Sequence, residues 1–141
     1  MWLLFVAVLL LEIILDFVSR QTSECVQVNP NAGWLLIFHH ITSCFLLYGW
    51  LFSNPFILFI HIVIVIGTII HWKNNENMCY LTVHVNKICD WPREKPFHDL
   101  LDMLGIKAKP WWNEYGHYIF ILIGGIISLW KLTQKNYPHI K

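Results

Sequence analysis

Two apolar stretches joined across Ser53-Asn54-Pro55 constrain this chain more than anything else in it: GWLLIFHHITSCFLLYGWLF, from Gly33 to Phe52, and PFILFIHIVIVIGTIIHW, from Pro55 to Trp72. Each matches the roughly 20 apolar residues a helix needs to cross a bilayer, and so short a connection makes them an antiparallel helical hairpin. Similar stretches flank the hairpin at about 1–18 (MWLLFVAVLLLEIILDFV) and 112–132. Of the whole chain 56% is hydrophobic and 13% charged, well beyond the roughly 45–50% apolar content of a soluble domain. The expected fold is therefore all-α: one integral membrane four-helix bundle, with spans about 1–18, 33–52, 55–72 and 112–132 and a polar capping loop at 73–111.

Residues Met1 to Val6 carry no Lys or Arg, so the first stretch reads as a retained helix rather than a signal peptide. Trp2, Trp34, Trp50, Trp72, Trp111, Trp112 and Trp130 fall near the ends of the apolar stretches, as interfacial belts do. Within the long loop, Pro96, Phe97, Leu100, Leu101, Leu104 and Gly105 predict a short amphipathic helix lying on the membrane surface or capping the bundle. The net charge of +1 gives no reason to expect a polyanionic partner, so nucleic acid is set aside. The expected partner is the lipid bilayer, with a homo-oligomer or a larger membrane complex beyond it.

With four spans, both termini share one side and the 19–32 and 73–111 loops share the other. Arg20, Lys73, Lys87, Arg93, Lys95, Lys107 and Lys109 lie on the loop side, against Lys131, Lys135 and Lys141 on the terminal side. The positive-inside rule then places the loops in the cytoplasm and the termini opposite. Cys25, Cys79 and Cys89 pull the other way, since a disulfide among them would need an oxidising compartment.

The ionisable residues buried in apolar sequence mark where function should lie. Counted back from the turn, antiparallel pairing sets His40 level with Gly67 and His39 level with Thr68, and Gly67 leaves room for an imidazole. Glu12 lies at a depth similar to the histidine pair, with Asp16 one turn above it on the same face. His71 closes the third span on the loop side, and Glu114 and His117 open the fourth there; His61 is the outlier, nearer the turn. Glu12, Asp16, His39, His40, Thr68, His71, Glu114 and His117 are thus expected to line one cavity, with Glu12 pairing to His40. His39 and His40 lie about 100° apart on a helix, so the two cannot point the same way.

Cys79, His84 and Cys89, in CYLTVHVNKIC, match the last three positions of a zinc-knuckle spacing, with Glu76 where the first cysteine would stand. The segment lacks the glycines that let so short a loop wrap a metal, so buried thiols or a Cys–Cys link compete with this reading. Cys44 reads as a small packing residue. Nucleophile-elbow, phosphate-loop and His-Glu-x-x-His motifs are absent.

From the histidine pair onward the order of features resembles a bacterial family of small multi-pass membrane proteins, domain-of-unknown-function family 2784. The resembling pieces are His40 in an apolar helix, Gly49, FIHI around His61, Gly67, CYLT from Cys79 to Thr82, and EYGHY from Glu114 to Tyr118. They cover about residues 35–132 and leave the first span unmatched. The family usually has CPLT where this chain has CYLT, and its acidic residue is replaced near Asn86. The resemblance implies a compact helical membrane protein with His40, His61, Cys79 and His117 as positions of interest, and no known reaction.

Three functions follow from these residues. One is a cofactor site, with haem b or a divalent metal held by histidines such as His40 and His117 and tuned by Glu12. Another is a proton or ion pathway through Glu12, Asp16, His40 and His71. The third is an accessory subunit whose polar residues only lock helices together, with Gly124 and Gly125 as a partner face.

Overall fold

A computed structural model describes residues 2–93 and 110–136, with backbone alone at 21, 110–114 and 135–136. The described residues are helical, with no β-strand among them: α1 (Trp2–Val18), α2 (Arg20–Val28), α3 (Pro30–Tyr48), α4 (Pro55–Asn74), α5 (Tyr80–Ile88) and α6 (Pro110–Asn136). The amphipathic helix expected near 96–105 lies outside the described residues.

Local chemistry fixes the boundaries. Ser19 leaves the helical conformation at the end of α1 and caps α2, its hydroxyl accepting from the Thr22 N–H at 3.4 Å. The chain turns by 82° there, so α2 lies across the end of α1. Pro30 opens α3, whose last turn tightens into a 3-10 turn at Gly49–Leu51. Asn54 then caps α4, its side-chain oxygen accepting from Phe56 and Ile57 N–H, with Pro55 in the first turn. The hairpin expected from the sequence is thus present, although its first arm starts three residues before Gly33.

Among the described residues, three helical segments are long and apolar enough to cross a membrane: Pro30–Leu51, Pro55–Asn74 and Tyr115–Gln134. Their outer faces are apolar, with Phe56, Phe59, Val63, Ile66 and Ile70 exposed on α4 and Ile119, Leu122, Ile126 and Leu129 on α6. Helix α1, of 17 residues, also exposes Leu3, Leu4, Leu10, Leu11 and Ile14. Such faces suit lipid, where hydrocarbon gives no drive for apolar helices to associate and close packing or polar contacts must do so.

Close packing is concentrated between α4 and α6, the most extensive helix contact. Leu46, Val65 and Ile121 form a small core that Leu47, Ile64, Ile69 and Trp72 surround. The imidazole of His61 lies at its turn-side end, fully buried. A side chain on Gly49 would overlap that ring, and one on Gly124 would come within 2.8 Å of Trp50 Cδ1 and 3.5 Å of His61 Cε1. Gly125 faces Val65, so the Gly124-Gly125 pair is a close-approach face used inside the chain. Gly67 corrects the expectation from the sequence: no atom lies within 4 Å of where its Cβ would be, and the glycines that admit an imidazole are Gly49 and Gly124, for His61.

Gly49→Ala should therefore lower stability by about 1–3 kcal/mol, the usual cost of forcing extra volume into packed structure, whereas Gly67→Ala should be neutral or slightly stabilising. Reversible unfolding in mixed micelles compares the two, and equal effects would contradict the close approach at Gly49.

Candidate functional site

The polar residues that the sequence placed in one cavity form separate groups. The most buried joins α1, α2 and α3. His40 Nε2–H donates to Asp16 Oδ2 at 3.0 Å, with Asp16 1% and His40 6% exposed. The second oxygen, Oδ1, accepts from the Thr22 hydroxyl at 3.2 Å, and Thr22 Oγ1 accepts from Ser19 Oγ at 2.8 Å. The bend at Ser19 makes this possible, because it brings Thr22 back over the last turn of α1 within reach of Asp16. The carboxylate thus has partners on both oxygens, the condition on which a charge survives burial.

The partner of His40 is consequently Asp16 and not Glu12. Counting depth from the loop-side ends assumed that both helices begin at one level. Helix α3 begins at Pro30 and projects past the end of α1, where Gly33 packs beside Val26 and Phe17. That shifts the register by one helical turn. Glu12 falls about level with Cys44, half-buried and within electrostatic reach of His40, Cys44 and Tyr48. His40, Cys44 and Tyr48 recur every fourth residue on α3, as Glu12 and Asp16 do on α1, so one polar seam follows the α1–α3 contact. At its turn-side end Cys44 Sγ lies 4.0 Å from the Phe5 carbonyl, and Trp2, Phe5 and Phe52 close it with aromatic contacts.

The remaining histidines are engaged elsewhere. His39 turns away from His40, its Nε2 on Ser43 Oγ at 3.2 Å and its Nδ1 3.8 Å from Cys79 Sγ. His61 spans three helices: Nε2–H donates to the Leu46 carbonyl at 3.0 Å, and Nδ1 accepts from Ser128 Oγ at 2.8 Å. His71 Nε2 accepts from the Tyr80 N–H at 3.1 Å, and Tyr80 stacks on His84. Thr68 is half-buried on α4 and His117 is exposed on α6. Glu114 lies in the first turns of α6, its side chain outside the described residues.

This distribution does not assemble the ligand sets expected from the sequence. His40 and His117 share no contact, and each of His40, His61 and His71 already uses Nε2. Cys79 and Cys89 cap opposite ends of α5, about 15 Å apart at 1.5 Å per residue, and Cys89 is bonded to Cys25. The zinc-knuckle reading is therefore corrected: CYLTVHVNKIC is a helix with one thiol in a disulfide. Among the described residues no three His, Cys, Asp or Glu side chains are grouped to hold a metal ion.

Ser19 and Thr22 were missed by the sequence reading, although a serine directly after an apolar run is an N-cap signal that could have marked the break at Ser19. Removing one member of a buried pair costs about 3–5 kcal/mol, so Asp16→Ala and His40→Ala should each destabilise strongly. The double variant should lose much less than their sum, while Glu12→Ala should be milder. A double-mutant cycle on micellar unfolding measures this coupling, and additive losses would contradict the pairing. In comparisons with family models, curated proteins and solved structures, nothing matches this chain.

Proposed function

We propose that this chain is an integral membrane protein of four spans, α1 being the fourth, and that its α1–α3 seam conducts protons. The observation that carries the reading is the hydrogen-bonded chain that runs from half-buried Ser19 through buried Thr22 and Asp16 to His40. It begins at the loop-side bend and ends on an imidazole, the side chain best suited to taking and releasing a proton near neutral pH. Glu12 stands one turn deeper with Cys44 and Tyr48, which continues the polar line toward the turn side. Ionisable groups are costly within a bilayer and are kept there mainly for transport or relay roles.

The Cys25–Cys89 disulfide supports a loop side facing an oxidising compartment. This assignment is opposite to the one the count of basic residues favours.

Reconstituted in liposomes carrying an internal pH dye, the protein should admit protons when a potassium diffusion potential is imposed. Asp16→Asn and His40→Ala should cut that flux at least about tenfold, consistent with the loss of a proton-transfer group, and Thr22→Ala should cut it less. Flux equal to that of protein-free liposomes would overturn the reading and leave the pair a lock between helices. For orientation, a membrane-impermeant phosphine added to intact expressing cells should open Cys25–Cys89. A disulfide that yields only after lysis would place the loops inside.

A further inference from the structure

We propose that Cys79 and His39 form a thiol–imidazole pair that carries out thiol–disulfide exchange with a disulfide presented from the loop side. The pair is built from two elements, with the thiol on the cap of α5 and the imidazole in the third turn of α3. Cys79 Sγ–H points to His39 Nδ1 at 3.8 Å, and His39 Nε2–H donates to Ser43 Oγ at 3.2 Å. One neutral tautomer satisfies both contacts, with the proton on Nε2 and Nδ1 left to accept. A nucleophile, a base within reach and a third group orienting that base make up the arrangement by which cysteine is activated.

Two further observations favour a disulfide as the reactant. Cys79 is half-buried rather than enclosed, unlike Cys44, the other free cysteine among the described residues, which is fully buried. On the orientation proposed above, the Cys25–Cys89 disulfide puts the loop side where disulfides form, and Cys79, at the far end of α5 from Cys89 and beside the third turn of α3, is a free cysteine. It is thus left to meet a sulfur from outside the chain.

In the proposed step, His39 Nδ1 takes the Cys79 proton as the sulfur attacks one sulfur of an incoming disulfide R–S–S–R′. A bond forms between Cys79 Sγ and R–S while the original S–S bond breaks, and R′–S⁻ leaves and recovers the proton from His39. Cys79 is oxidised to a mixed disulfide and R′–SH is the reduced product, so no further oxidant is needed.

The test uses the whole chain in detergent with the aromatic disulfide dithiobis-nitrobenzoate, following release of the coloured thiolate and locating the adduct by mass spectrometry. An ordinary thiol is only a few per cent thiolate at neutral pH, so base assistance has room for an acceleration of about tenfold or more. Cys79 should react about tenfold faster than glutathione under the same conditions. His39→Gln should bring the rate down to that of glutathione, with Cys25–Cys89 intact as the check on folding. A wild-type Cys79 no faster than glutathione would overturn the proposal without recourse to any variant, and so would a His39→Gln protein that keeps its disulfide and reacts at the wild-type rate.

Discussion

The imidazole of His61 is the contact on which the mutual placement of three spans depends. In lipid the apolar faces of α3, α4 and α6 gain nothing by meeting one another, so specificity must come from groups that hydrocarbon cannot satisfy. His61 supplies one such group from α4 and reaches the Leu46 carbonyl of α3 and the Ser128 hydroxyl of α6. That carbonyl lies near the end of α3, where a helix has acceptors to spare. Gly49 and Gly124 leave space for the ring, and Phe45 makes a T-shaped contact with it at 5.6 Å between centroids. Each component fails without the others: the ring needs both glycines to enter, and the hydrogen bonds need the ring to be at that depth.

Helix α1 joins this group by a different means. Its lipid-facing leucines give it no preferred neighbour, and Asp16 would be costly anywhere but against α3. The Asp16–His40 pair therefore fixes both the rotation of α1 and its axial register. It also explains the sharp bend at Ser19, since a straight continuation would carry Thr22 away from Asp16 Oδ1 and leave a buried carboxylate oxygen without its donor. A lock and the proposed conduit would be built from the same atoms. What separates them is continuity beyond the pair, and the placement of Glu12, Cys44 and Tyr48 along one face argues for more than a fastening.

Much of this was legible in the sequence. Length and hydropathy gave the hairpin and the last span, because a bilayer imposes them residue by residue. Asp16 and His40 were recognisable as buried polar groups for the same reason. Their pairing was not, because register between helices depends on where each one starts, and the projection of α3 beyond α1 comes from a bend at a single serine. The expectation of one cavity failed for a related reason: periodicity places residues by depth, while the direction of each side chain around its helix decides whether they meet. His39 and His40 are adjacent in sequence and serve different groups. Gly67 and Gly49 both stand in apolar helices, and only packing distinguishes the one that faces open space from the one beside an imidazole.

The two indications of orientation differ in kind. Basic residues bias insertion statistically and act one side against the other, so their force depends on how many are free to act. On the loop side Arg20 is paired with Glu24 at 2.8 Å and Arg93 with Glu76 at 3.2 Å, although acidic residues weaken the bias only a little. A disulfide is instead a product of the compartment in which it forms. Cys25–Cys89 joins the helix that carries Thr22 to the far end of α5, where Asn29 also donates to the Ile88 carbonyl. It ties α2 to the end of α5 beside the start of α3. On the orientation proposed above, the link would face an oxidising side and persist there. On the two proposals above, that side would supply both the protons for the seam and the disulfides for Cys79.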